Sequence, residues 1–266
     1  MINWELFINL FIAHQLSDFL FQFNSWNENK EKYGLKGLGI WKHAIVVYFT
    51  TIMAIAWLDY EYLLVALILT FLHVLIDWLK NKYRKIGSRA FVLEQLIHIG
   101  ALIAIAYFVP KYLGWEQWRI IPHGKEKLYP LIACVYLFVL SPANYIIREI
   151  LRYCHISNVV ESKRDERENG ERENGEREKQ NENIKTSGIL IGSMERFLVL
   201  TFILLGRFDA AGLTIAAKSL LRFKDNEKLK TEYVLIGTLL SITIAVVCAL
   251  VVFKFGMGIS VLKKPS

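Results

Sequence analysis

The chain has 266 residues, 54% of them hydrophobic, with a mean hydropathy of +0.31 and a formal net charge of +7. A soluble domain carries about 45–50% apolar residues even when Gly is counted, so this composition argues against a water-soluble fold. The three cysteines, Cys134, Cys154 and Cys248, are spaced for neither a zinc knuckle nor a disulfide framework and are expected to be small packing residues.

A helix needs roughly 20 mostly apolar residues to cross hydrocarbon. Blocks of about that length lie at 4–23, 40–58, 62–79, 91–109, 128–147, 188–205 and 233–253. Helix is the only expected conformation for them, because backbone left unpaired in lipid is too costly. The predicted fold is therefore all-α, a polytopic transmembrane helical bundle of seven or eight segments.

The first block lacks a basic leader (Met1-Ile2-Asn3-Trp4-Glu5) and carries His14 and Asp18, so a retained helix is expected rather than a signal peptide. The second block has His43 near its start, the third has His73 and Asp77, and the fourth has Glu94 and His98. The fifth carries no charged residue. After it, residues 161–186 contain Arg-Glu-Asn-Gly-Glu twice in tandem, with nine acidic and seven basic side chains. Such a stretch buries too little to offset the entropy of ordering and is expected to be a flexible linker. It divides a five-helix part (1–160) from a C-terminal part (187–266). In that part Glu195 and Arg196 lie about two turns inside a span. They are neighbours in sequence, so they should pair with other helices, and Lys218 is a candidate partner for Glu195. The window 206–223 is short and carries Asp209 and Lys218, so it suits a short span, a re-entrant segment or an interfacial helix.

The basic residues alternate by loop. Segments 24–42, 80–90, 148–187 and 222–232 hold 22 Lys/Arg, and the intervening segments hold 8. If 206–223 does not span, the split is 21 to 9. This is the positive-inside pattern, so the linker side is assigned to the cytoplasm and the N-terminus to the outside. The charge thus reports orientation, and no nucleic-acid partner is expected.

An ionisable group inside a membrane helix costs about 2.5–3.5 kcal/mol on insertion scales. Here His14/Asp18, His73/Asp77 and Glu94/His98 are each spaced i, i+4, which puts each pair on one helix face. With helices alternating in direction and rising about 1.5 Å per residue, these six groups and His43 fall within roughly 15 Å of the cytoplasmic edge. Imidazoles and carboxylates together suit a divalent metal, zinc first and manganese or iron next. The expected ligands are His14, Asp18, His73, Asp77 and His98, with His43 and Glu94 beside them, as one site or as a bridged pair of ions. Glu94 is the candidate general base, and Gln22 and Lys80 are candidate supporting residues. Hydrogen-bonded glue between helices, at about 0.6 kcal/mol per contact, offsets little of so many polar insertions. His123 and His155 fall outside the layer and are expected at the surface.

His14-Gln-Leu-Ser-Asp18, Lys42-His43, His73-Val-Leu-Ile-Asp77 and Gln95-Leu-Ile-His98 resemble the motifs of an uncharacterised bacterial family of multi-pass membrane proteins. In the later half, Gly192-Ser-Met-Glu195-Arg196, Ala216-Ala-Lys218-Ser and Glu232-Tyr-Val-Leu-Ile-Gly237-Thr are similar too. Where that pattern has Asp before Gln95, this chain has Glu94. The N-terminal pattern is also similar, more distantly, to membrane-bound metal-dependent hydrolases. The resemblance implies the inner (cytoplasmic) membrane and a metal. It leaves three functions open: a hydrolase of a lipid or amphiphile, a proton or divalent-ion transporter or channel, and a membrane scaffold with a structural metal.

Overall fold

A computed structural model describes residues 2–55, 61–82, 89–112, 128–153, 176–222 and 228–257, and the regular elements among them are all helical. His123, Cys154 and His155 lie outside the described residues. The chain divides into two units, Met1–Leu137 and Phe138–Ser266.

In the first unit, α1 (Trp4–Gln15) starts at an Asn3 cap whose side chain accepts from the Leu6 amide. It runs into a π turn over Leu16–Leu20, closed by the Phe21 amide on the Leu16 carbonyl at 2.9 Å. The chain then turns by 87° into α2 (Asn24–Tyr33). This corrects the expectation of one apolar helix over 4–23 followed by a loop. Residues 24–33 are too polar for hydrocarbon, yet their Glu and Lys are good helix formers. The helix ends at Gly34, whose φ of +56° suits a residue without Cβ. A short 3₁₀ turn (Gly34–Lys36) then leads to α3 (Leu38–Ile55).

Two further glycines let α2 lie on the start of α3. A Cβ at Gly39 would stand 2.5 Å from the Trp26 carbonyl oxygen, and one at Gly37 would stand 2.4 Å from Asn29 Oδ1. Asn29 Oδ1 accepts instead from the Gly39 amide at 2.8 Å. Helices α4 (Glu61–Lys82) and α5 (Arg89–Tyr112) complete the unit's long elements, and α6 (Leu128–Leu140) starts in it.

Each long helix of this unit has an inward and an outward stripe at helical spacing. Leu6, Leu10, Val47, Ile55, Tyr62, Val65, Leu69, Leu102 and Ile105 form a buried apolar core. Facing outward are Ile45, Phe49 and Met53 on α3, Leu64, Ile68 and Phe71 on α4, and Leu93, Leu96 and Ile97 on α5. An apolar outer face of that extent around buried His and Asp is the reverse of a water-soluble protein and suits lipid contact.

In the second unit the end of α6 breaks at Ser141, because Pro142 has no N–H and cannot continue the ladder. The chain bends by 42° into α7 (Pro142–Tyr153). Helix α8 runs Glu176–Leu204. The segment expected to be a linker is therefore helical from Glu176 onward, and its residues 161–175 lie outside the described residues. Its Glu, Arg, Lys and Gln favour helix once the apolar half of α8 supplies a nucleus.

Helix α8 ends in a Schellman motif. The Arg207 amide reaches the Phe202 carbonyl at 2.8 Å, the Gly206 amide reaches Ile203 at 3.0 Å, and Gly206 takes φ +72°. The chain reverses there into α9 (Phe208–Arg222), followed by α10 (Lys228–Val252) and a π turn over Phe253–Met257. At 15 residues α9 is about 22 Å long, short of the roughly 30 Å hydrocarbon core.

Among the described residues four helices are long and apolar enough to cross a membrane: Leu38–Ile55, Tyr62–Lys82, Phe91–Tyr112 and Leu235–Phe255. The number rises to six if the bent pairs Trp4–Leu20 with Asn24–Lys36 and Leu128–Leu140 with Pro142–Arg152 each count as one span. The described residues thus supply four to six of the expected seven or eight segments, with bends and a short helix in place of some continuous blocks.

Candidate metal centre

The end of α1, the start of α3, the end of α4 and the start of α5 meet at one end of the first unit. All seven ionisable groups singled out in the sequence converge there. His14, His43, His73, Asp77, Glu94 and His98 are buried, and the Asp18 side chain is 8% exposed.

The closest-set group is Asp18, His43 and His73. His43 Nε2 and His73 Nε2 face each other at 3.0 Å. Asp18 Oδ1 lies 3.3 Å from His73 Nε2 and 3.5 Å from His43 Nε2. Zinc ligands at about 2.0–2.2 Å in a tetrahedron stand about 3.3–3.6 Å from one another, so this near-equilateral triangle has edges of ligand-pair size. Three lone-pair-bearing atoms pointing at a common centre repel unless a proton or a cation sits among them. Asp77 adds its oxygens next to the triangle, Oδ1 at 3.8 Å from His73 Nε2 and Oδ2 at 3.9 Å from His43 Nε2.

Two further sets adjoin it. Asp77, Glu94 and His98 each bring a ligand atom within 4.8 Å of the others, and so do His14, His73 and His98. His98 Nε2 stands 3.5 Å from Asp77 Oδ1, and among the described residues neither it nor His43 Nδ1 meets hydrogen-bond geometry. A buried imidazole nitrogen without a hydrogen-bond partner costs about 1–3 kcal/mol, and for His98 Nε2 a cation shared with Asp77 would remove that cost.

The local structure accounts for the aim of each group. Across the π turn, which widens the helix, Ser17 Oγ donates to Asp18 Oδ1 at 2.9 Å, or else to the His14 carbonyl at 3.0 Å. His14 Nε2 donates to Gln95 Oε1 at 3.1 Å, while its Nδ1 is 3.6 Å from Asp18 Oδ2. The expected order of the ligands is thus changed. His43 belongs to the tightest triangle rather than beside it, and His14 is engaged by Gln95 and Asp18 and reaches the cluster through His73 and His98. Of the two expected supporting residues, Lys80 bonds Glu94 Oε2 at 2.6 Å, and Gln22 lies in the break before α2.

Sequence reasoning missed Lys30. Helix α2 folds over the cluster and buries this lysine, whose Nζ donates to Asp77 Oδ2 at 2.7 Å. Asn81 Nδ2 is 3.3 Å from the Lys30 carbonyl and ties α2 to the end of α4. The signal available was Asn29 followed by Gly37 and Gly39, residues that permit a close return of the chain. We expect Lys30→Met to strand the Asp77 charge and to destabilise the metal-free protein by about 3–5 kcal/mol. Added Zn²⁺ should then raise the melting temperature of Lys30→Met more than that of wild type. An equal rise in both would count against the pairing.

A cavity with room for about one water molecule adjoins His14, His73 and His98 on the side of the apolar core, with Ser17, Thr51 and Leu102 among its walls. It has polar partners enough to hold a water.

Comparison with known proteins bears on this unit alone. No curated protein and no solved structure matches the chain. Residues 6–121 match the profile of a family described as protein of unknown function (DUF3307), a stretch that runs from within α1 through α5 and takes in every residue of the cluster, so the part of the chain that carries the His/carboxylate cluster is similar to that family.

Proposed function

We propose that the protein is a polytopic inner-membrane protein that holds one or two divalent ions, zinc foremost, at the His/carboxylate layer near the cytoplasmic face. The observation that carries this reading is the triangle of Asp18, His43 and His73, with edges of 3.0 to 3.5 Å. Asp77 and His98 extend it, and Asp77 is placed to serve both halves of the layer. Bound there, a divalent ion would lower the pKa of water and supply a nucleophile at neutral pH.

The chemistry proposed is hydrolysis of a lipid or amphiphile. The cavity beside His14, His73 and His98 can hold a water, and Glu94, which stands off the cavity wall beside Asp77 and His98, is the carboxylate assigned as general base for a water at that set. Lys80 holds the Glu94 carboxylate in place from a partly exposed position. The substrate class follows from the setting, since the helices around the site present apolar side chains outward. The test is a panel of micellar carboxylic and phosphoric esters, assayed with added Zn²⁺ or Mn²⁺ and with chelator. Metal-dependent turnover of one of them is expected. Divalent-ion or proton flux in proteoliposomes without turnover of any ester would replace this reading with a transporter.

The orientation proposed places the N-terminus outside, and it rests on the 22 to 8 charge split. Lys30 and Lys80 turn inward onto Asp77 and Glu94, which still leaves the excess on the linker side. Single cysteines at Lys36 and Lys163 should therefore be labelled from the same face, and labelling from opposite faces would overturn the topology.

A further inference from the structure

The second unit holds a buried cation that the metal centre does not use. Arg196, on α8, is 3% exposed. Its Nε donates to the Val139 carbonyl at 2.8 Å, its Nη1 to Ser241 Oγ at 3.1 Å, and its Nη2 to Asn144 Oδ1 and to Ser193 Oγ at 3.2 Å. Every acceptor the guanidinium meets among the described residues is neutral. The nearest acid in sequence, Glu195, is paired with Lys218 of α9. Arg196, Lys218 and Glu195 line one pocket, and together they leave it one positive charge in excess.

The depth of this charge makes the imbalance costly. Arg196 lies ten residues from the Gly206 turn, or about 15 Å along α8, near the middle of an apolar layer roughly 30 Å thick. A buried charge without a counter-charge is strongly destabilising. The pocket has space for one sphere of about water size, and Thr214, Thr238 and Ser241 lie in its wall. A guanidinium carries five N–H donors, and four are engaged above, which leaves one on Nη1 beside Ser241. Ser241 Oγ accepts from Arg196, and a hydroxyl that accepts still carries one O–H donor at the pocket wall.

We propose that this pocket, built by Arg196, Lys218, Ser241 and Thr214, binds a small monovalent anion of halide size that neutralises the excess charge of the pocket. A monatomic ion is proposed, rather than a phosphate headgroup or sulfate, because the space takes about one water-sized sphere. The anion is held by the spare guanidinium N–H and the Ser241 hydroxyl, with the Lys218 ammonium supplying charge nearby. Glu195 opposes binding, so the charge on each neighbour sets the affinity with a defined sign.

The test uses the full chain in detergent, with unfolding followed by tryptophan fluorescence at constant ionic strength while chloride or bromide replaces gluconate. Wild type should gain thermal stability with a saturable dependence on either halide, and sulfate should give none. Lys218→Met and Ser241→Ala should weaken the apparent halide affinity by roughly tenfold or more, and Glu195→Gln should strengthen it by a similar factor. The dependence should persist in His73→Ala, which separates this site from the metal centre. Ser241→Ala removes a single oxygen and keeps the test valid if the charge variants do not fold. No halide dependence in wild type would overturn the proposal, and so would a dependence equal in wild type, Ser241→Ala and Glu195→Gln.

Discussion

His73→Ala is expected to come out of purification folded, without bound metal and without hydrolytic activity. His73 Nε2 is the atom common to most of the short distances: 3.0 Å to His43 Nε2, 3.3 Å to Asp18 Oδ1 and 3.8 Å to Asp77 Oδ1. Removing it opens the triangle and breaks the His14, His73 and His98 set as well, and the remaining Asp77, Glu94 and His98 are not expected to hold an ion without it. Asp77→Ala should lose metal as well, but with a second consequence, because it also strands the buried Lys30 ammonium and so destabilises the fold. Loss of a ligand should exceed the 10–100-fold loss of metal affinity typical of a supporting residue. Gln95→Leu, which removes the partner of His14, should fall inside that range. Equal metal content in wild type and His73→Ala, by elemental analysis of folded protein, would remove His73 from the site.

Glu94→Gln should behave differently. The change keeps the shape of the side chain and removes its charge, so metal should stay while turnover falls by about 10²–10⁴, the loss typical of a missing general base. Lys80 loses its partner, but about a third of its side chain is exposed and water can solvate the ammonium. Lys80→Met serves as the control, because it removes the same ion pair and leaves the carboxylate. If Lys80→Met lowers turnover as far as Glu94→Gln, the pair acts through position and Glu94 is not the base. If Glu94→Gln loses metal, Glu94 is a ligand.

The convergence of the layer was legible in the sequence because two simple regularities combine. Spacing i, i+4 fixes a face, and alternating helix direction fixes a depth, so four helices carry seven groups to one end without any knowledge of their packing. The pairing of Glu195 with Lys218 was legible for a similar reason, since a charge inside an apolar helix needs a partner and few were on offer. What hydropathy could not see was polar helix. Residues 24–33 have the composition of a loop beside a membrane, and only the tertiary contact between Asn29 and Gly39 shows that they fold over the site and bring Lys30 to Asp77. The centrality of His43 was hidden because it has no i, i+4 partner of its own. The bends at Phe21–Phe23 and at Ser141–Pro142 interrupt blocks whose average hydropathy looks continuous.

Elemental analysis of the full-length protein purified in detergent without chelator tests the central claim most directly, alongside His43→Ala and Asp18→Asn. The account predicts about one or two tightly held divalent ions per wild-type chain, most of them zinc, and near-complete loss in both variants with helicity unchanged. Folded wild-type protein that carries no divalent metal and takes none up from added Zn²⁺, Mn²⁺ or Fe²⁺ would contradict it, leaving the histidines and carboxylates as a hydrogen-bonded layer between helices.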